Sequence, residues 1–296
     1  MKSKLDYLKD NEDYNTLVIG SSYIYRHFIP SHFDSITGNC SFNLGAPGIR
    51  YMEGSYILEN LLNEDDKYLA SIDNILFLTQ MNVTIPDNHL HTVNGFYWMD
   101  KKRFVFGLNL FYNNFEELRK YTISFIENVF LYQMRSNLIR SFYSTKDCRF
   151  DYDSTKGYLN LDDEPEAKFR NKYFKRRFTD EYRSGYSYSY VYSPENEILS
   201  KFESCFERNI RLLEAKCYNK GIKLYSVFLS NNKLHHKLSV DNILYMGDGC
   251  EVPDLFRAEN YFDKWHHNSK GAELFTDRLA FIYNSNAVSP IIDETH

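Results

Sequence analysis

Asp263-Lys264-Trp265-His266-His267-Asn268-Ser269-Lys270-Gly271 sets a carboxylate three residues before an imidazole, at the entrance to what reads as the last helix of a 296-residue chain. An imidazole held by a carboxylate is a general base, and its common task near neutral pH is to take a proton from a nucleophile. Three-residue spacing on a helical turn lets Asp263 and His266 project toward one side, so that the carboxylate fixes the tautomer and stabilises the imidazolium. The matching hydroxyl is best sought far away in sequence. Thr16-Leu17-Val18-Ile19 runs apolar into Gly20-Ser21-Ser22, a sharp strand-to-helix turn that would lift a serine above the end of a sheet. Taken singly, Gly-Ser-Ser is a common turn, and Asp263 with His266 could simply cap the final helix.

Two further stretches lie between these ends: Asn43-Leu44-Gly45-Ala46-Pro47-Gly48, and Gln80-Met81-Asn82 after the apolar Ile75-Leu76-Phe77-Leu78. Together, and in this order from residue 20 to residue 271, the four stretches resemble the blocks of the SGNH (GDSL-like) hydrolase and acyltransferase superfamily. The resemblance implies a Ser-His-Asp set of Ser22, His266 and Asp263, with Ser21 at the position where many members carry Asp. It also implies an oxyanion hole made by the Ser22 N–H, the Gly48 N–H and the Asn82 side-chain amide. Gln80 stands where a Gly is usual, and Val83 replaces the Asp that often follows the Asn. Gly-Ser-Ser variants are familiar in polysaccharide-modifying branches. The implied activity is therefore that of an esterase or O-acyltransferase on O-acyl groups, acetyl above all, of a carbohydrate or surface polysaccharide. No cofactor is implied, beyond an acyl donor such as acetyl-CoA for a transferase. A non-catalytic glycan-binding or scaffold protein that keeps the fold is the rival expectation, favoured by Gln80 and Val83. A lipid or thioester hydrolase fits the polar, Tyr-rich middle of the chain less well.

The elements that must position these residues follow from the apolar runs. Strands are expected near 15–20, 41–45, 74–80, 222–229 and 242–246, with intervening segments long enough for crossover helices and hence a parallel sheet. Helices are expected at 53–62, 114–140, 195–219 and 269–284. The third has Ser193 as N-cap, Pro194 at its first position and Gly221 just past its end. The fold class is α/β, a flavodoxin-like three-layer sandwich with a central parallel sheet. Residues 1–296 read as a single domain, with an insertion at about 83–192 capping the active-site end, because no Pro-, Gly- or Ser-rich linker interrupts them.

Composition narrows the function classes. A net charge of −5 argues against general nucleic-acid binding, which needs a clustered positive field. The one basic run, Lys168 to Arg177, is balanced by Asp162, Asp163, Glu164 and Glu166 and reads as a solvated helix face. Five Cys with no C-x-x-C spacing indicate neither a disulfide framework nor a zinc site. His89 with His91 and His235 with His236 lack a nearby carboxylate or Cys at ligand spacing, so no metal is expected. Neither a signal-peptide h-region nor an apolar run of membrane-spanning length is present, which gives the expectation of a cytoplasmic chain.

Overall fold

Short runs of β-branched and aromatic residues, each followed by a segment long enough to cross over, produce five parallel strands. The computed structural model describes residues 2–11, 13–47, 49, 51–63, 68–79, 101–113, 115–116, 118–127, 152–162, 197–229, 240–247, 251–263 and 266–288. Strands β1 (Thr16–Ile19), β2 (Ser41–Asn43), β3 (Asn74–Leu78), β4 (Lys223–Phe228) and β5 (Ile243–Tyr245) lie in the order β2-β1-β3-β4-β5. This is the 2-1-3-4-5 order of doubly wound sheets, with a topological switch point between β1 and β3. The register aligns Leu17 with Phe42 and Ile75, Ile75 with Leu224, and Val227 with Leu244. All five expected strands are present: β1, β2, β4 and β5 are each two residues shorter than expected, and β3 ends at Leu78, Gln80 lying outside the described residues.

Alternation along the strands divides the core between two faces. Val18, Leu76, Leu78, Tyr225, Val227 and Leu244 pack in one cluster with Ile24 of α2 (Ser22–His27), Phe33 of α3 (Pro30–Thr37), and Phe275, Leu279 and Ile282 of α8 (Ser269–Val288). The intervening residues Leu17, Ile19, Ile75, Phe77 and Phe228 are equally buried. Phe77 meets the ring of Tyr51 from α4 (Tyr51–Asn63) at 5.6 Å. Gly54 of α4 sits where a Cβ would come within 2.9 Å of the same Phe77 ring. Lys216 of α7 (Glu197–Asn219) pairs with Glu59 of α4. Helices thus cover both faces. Gly221, at φ 74°, closes α7 as its position predicts. The expected cap Ser193-Pro194 lies outside the described residues.

The chain divides into two compact units. Met1–Met81, Asp151–Glu195 and Ile210–His296 form the sheet-bearing unit; Asn82–Phe150 and Asn196–Asn209 form the second. In the second, α5 (Lys101–Phe111) packs against helical residues 118–127, with Gly107 so close to the Tyr121 ring that a Cβ would come within 2.1 Å of it. Tyr121 donates to the Arg103 carbonyl at 3.1 Å. Residues 128–140 of the expected 114–140 helix are not among those described. Residues 152–162, inside the stretch read as an insertion, belong to the sheet-bearing unit and open with α6 (Tyr152–Thr155). The Asn43 N–H donates to the Lys156 carbonyl at 2.9 Å, which gives the outer strand β2 a partner on its free side. Gly157, at φ 83°, approaches so closely that a Cβ would lie 2.3 Å from the Asn43 carbonyl oxygen. Among the described residues, no helix is long and apolar enough to cross a membrane.

Two buried polar side chains hold the turn beyond β2. Lys4 of α1 (Lys2–Asp10) donates to the carbonyls of Asn43 (2.6 Å), Gly45 (2.9 Å) and Gly157 (2.7 Å). Burial, and then Arg26, push the Lys4 pKa well below its ordinary value. Three acceptors nevertheless match the three N–H bonds of an ammonium, which a neutral amine could not all supply. Desolvating an ion costs several kcal/mol. Three hydrogen bonds from a charged donor, at about 1.5–3 kcal/mol each, are of the size needed to offset that. Asn43 is fully buried and donates to the carbonyls of Ile24 (2.8 Å) and Phe28 (2.9 Å), while its Oδ1 accepts from Gly45 N–H (3.0 Å). Asn43→Ala should therefore lower unfolding stability by about 2–4 kcal/mol in urea titrations, since it strands buried groups on both partners. A loss under half a kcal/mol would show that these bonds do not secure α2.

Candidate active site

The turn after β1 is shaped by close packing. A Cβ on Gly20 would come within 2.6 Å of both Ile24 Cγ1 and Leu78 Cβ, so only Gly allows the chain to leave the sheet here. Ser21 then acts as the N-cap of α2, its hydroxyl accepting from the Tyr23 N–H at 3.3 Å. That occupation of Ser21 leaves Ser22 at the first helical position, where its own N–H has no partner within the helix. The loop from β2 runs alongside: Leu44 N–H donates to the Val18 carbonyl at 2.9 Å and Ala46 N–H to the Gly20 carbonyl at 3.0 Å.

The base arrives from the opposite end of the sequence. Its segment is not the helical turn expected from the Asp-x-x-His spacing. Residues 261–263 and 266–267 lie against each other, with Phe262 N–H donating to the His266 carbonyl at 2.8 Å and Tyr261 bridging His267 in antiparallel fashion. The Asp263 carboxylate closes this turn by accepting from the His266 N–H at 2.8 Å, a bond that a helical carbonyl would otherwise provide. The cap of α8 is instead Asn268, whose Oδ1 accepts from the Gly271 N–H at 3.0 Å. Gly271 lets α8 approach the turn, because a Cβ there would lie 2.0 Å from the Asn260 carbonyl oxygen.

These two segments bring Ser22, His266 and Asp263 together at the carboxyl end of the sheet. His266 Nε2 lies 2.9 Å from Ser22 Oγ, and its Nδ1 lies 2.9 Å and 3.0 Å from the two oxygens of Asp263. A carboxylate only accepts, so Nδ1 carries the proton and Nε2 offers its lone pair to the serine hydroxyl. The side chains of His266 and Asp263 are 21% and 17% exposed, enough for the imidazole to be reached and too little for water to dominate its bonds. Gly48 and Asn82, expected as oxyanion donors, lie outside the described residues, as do Gln80 and the pairs His89 with His91 and His235 with His236.

Sequence reasoning missed His27. This imidazole, fully buried at the end of α2, accepts at Nε2 from the His267 N–H at 3.0 Å, and its ring lies 4.4 Å from that of His267 and 6.0 Å from that of His266. Its backbone carbonyl accepts from Thr276 of α8 at 3.1 Å. The available signal was its place five residues after Ser22 on the same short helix. His267 is buried against Tyr261 and His27, with Nδ1 3.1 Å from the Asn260 carbonyl.

No family model, curated protein or solved structure matches this chain.

Burial, and then the neighbouring His267, His266 and Arg26, hold the His27 pKa well below 6.5. The unfolded chain therefore binds this proton more readily than the folded one. Stability from this group is complete above about pH 6.5 and is lost as pH falls from there toward the folded pKa, by at most about 1.4 kcal/mol per pH unit. Urea titrations at pH 7, 6 and 5 should show a steeper decline for the wild type than for His27→Gln. Parallel declines would mean that His27 does not titrate on unfolding.

Proposed function

We propose that this chain is a serine esterase or O-acyltransferase of the SGNH type, acting on O-acyl groups, acetyl above all, of a carbohydrate or surface polysaccharide. The observation that carries the proposal is the continuous hydrogen-bonded path from Asp263 through His266 to Ser22. The four-block resemblance and the Gly-Ser-Ser elbow support the choice of superfamily and substrate class.

In this mechanism Ser22 Oγ attacks the acyl carbonyl carbon while its proton passes to His266 Nε2, and Asp263 stabilises the imidazolium that forms. The carbonyl oxygen becomes an oxyanion, received by the Ser22 N–H and, by resemblance, by the Gly48 N–H and the Asn82 amide. Collapse of the tetrahedral intermediate expels the leaving group, the sugar oxygen in a hydrolase or the donor's thiolate in a transferase, which takes the proton from His266. The acyl-Ser22 ester is then attacked by water in a hydrolase or by a sugar hydroxyl in a transferase, whose donor would be a thioester such as acetyl-CoA; His266 takes the acceptor's proton and returns it to Ser22 Oγ as the acyl–Oγ bond breaks. A non-catalytic glycan-binding or scaffold role, which Gln80 and Val83 favour, predicts no acyl-enzyme.

Turnover of p-nitrophenyl acetate separates these readings. Ser22→Ala should reduce it to background, and Asp263→Asn should lower kcat by about a thousandfold or more with the fold retained. Ser21→Ala should keep kcat while losing about 1 kcal/mol of stability as a helix cap. Asn82→Ala should cut kcat by about a hundredfold with KM little changed. Turnover that follows Ser21 instead of Ser22, or that is indifferent to both, contradicts the proposal.

A further inference from the structure

His266 sits between two peptide groups, and its aim depends on both. The peptide before it is pinned where its N–H donates to Asp263 Oδ1 at 2.8 Å. The peptide after it joins His266 to His267. Its carbonyl accepts from Phe262 N–H at 2.8 Å and Asp263 N–H at 3.3 Å, and its N–H donates to His27 Nε2 at 3.0 Å. Every one of these partners but His27 belongs to the same turn as His266. His27 alone belongs to the helix that carries Ser22, as the last residue of the element that Ser22 begins.

From this arrangement we infer that His27 is a positioning residue for the proposed reaction: its Nε2 acceptor references the base-bearing turn to the nucleophile's own helix and so sets the separation of His266 Nε2 from Ser22 Oγ.

The chemistry of the imidazole supports this. An Nε2 that accepts from a backbone N–H must carry a lone pair, so a neutral His27 holds its proton on Nδ1. His27 Nδ1 is buried and has no hydrogen-bond partner among the described residues. A buried donor without a partner costs stability. An apolar ring would fill the same space between Tyr23, His267 and Phe275 without that cost. What the imidazole adds is the acceptor. Its pKa, lowered above all by burial, keeps that lone pair available through the neutral range. Thr276 fixes the same residue from the α8 side by donating to the His27 carbonyl, so α2, α8 and the turn meet at this one position.

The inference rests on the esterase reading, and the test keeps the two apart. Three variants are compared by kcat and KM for p-nitrophenyl acetate, with Ser22→Ala as control. His27→Phe fills the space without an acceptor, His27→Gln places an oxygen near the Nε2 position, and His27→Asn places one near Nδ1. His27→Phe and His27→Asn should lose about a hundredfold in kcat with KM unchanged, the scale expected when a reacting group is misplaced by about 1 Å, and His27→Gln should recover most of it. The wild type is also examined directly: imidazole nitrogen shifts should show His27 as the Nδ1–H tautomer, and the His267 amide should exchange slowly and do so faster in His27→Phe. Wild-type turnover that depends on Ser22 but is unchanged in His27→Phe overturns the positioning role and leaves the esterase reading intact. Absence of Ser22-dependent turnover in the wild type overturns the esterase reading, and with it the positioning role for that reaction. Should the variants fail to fold, an Nε2–H tautomer in the wild type overturns the inference by itself.

Discussion

The hydrogen bond between Ser22 Oγ and His266 Nε2 joins residues 244 apart in sequence, and the sheet-bearing unit is arranged so that it can close. Neither residue is held by a strand. Ser22 stands on a helix of six residues, too short to be stable by itself, and His266 stands on a turn. Their separation is therefore set by what anchors these two weak elements. Close packing of Gly20 against Leu78 and Ile24 fixes where α2 starts. Asn43 holds carbonyls near its end. Thr276 donates to the His27 carbonyl and accepts from the Ile29 N–H, linking α8 to the end of α2 and the start of α3.

The anchors are mostly buried polar groups rather than apolar contacts, and this has a physical reason. Apolar packing is nondirectional and tolerates sliding, whereas a hydrogen bond fixes a distance and an angle. Asn43, Thr276 and His27 are all fully buried, so each must find partners or leave a costly unpaired group. The result is a set of directional ties around one short helix, set within the apolar cluster of Val18, Leu76, Val227 and Phe275 that supplies the bulk of the stability. Lys4 extends the same device to the loop after β2, where one ammonium gathers three carbonyls from two separate segments.

Much of this was legible in the sequence, for reasons that differ by residue. The strands were readable because runs such as Ile75 to Leu78 are apolar on both faces, the mark of a parallel sheet covered on both sides. Ser22, His266 and Asp263 were readable because a Gly-Ser-Ser turn after an apolar run and an Asp three residues before a His are residue types and spacings that stand out in the chain. The form of the Asp263–His266 turn was not, since i,i+3 spacing suits a helical turn and an Asp-stabilised bend equally, and only the tertiary contacts with Asn260 and His27 decide between them. Lys4 and His27 were invisible for a related reason. A Lys in a charged N-terminal segment and a single His on a short helix look like surface residues until the fold buries them.

A Ser22 nucleophile activated by His266 and Asp263 would be open to covalent capture. Intact mass after exposure to a fluorophosphonate, followed by peptide mapping, should show a single phosphonyl adduct on Ser22 in the wild type and none in Ser22→Ala. A wild-type chain that acquires no adduct, or a Ser22→Ala chain that still acquires one, would contradict it.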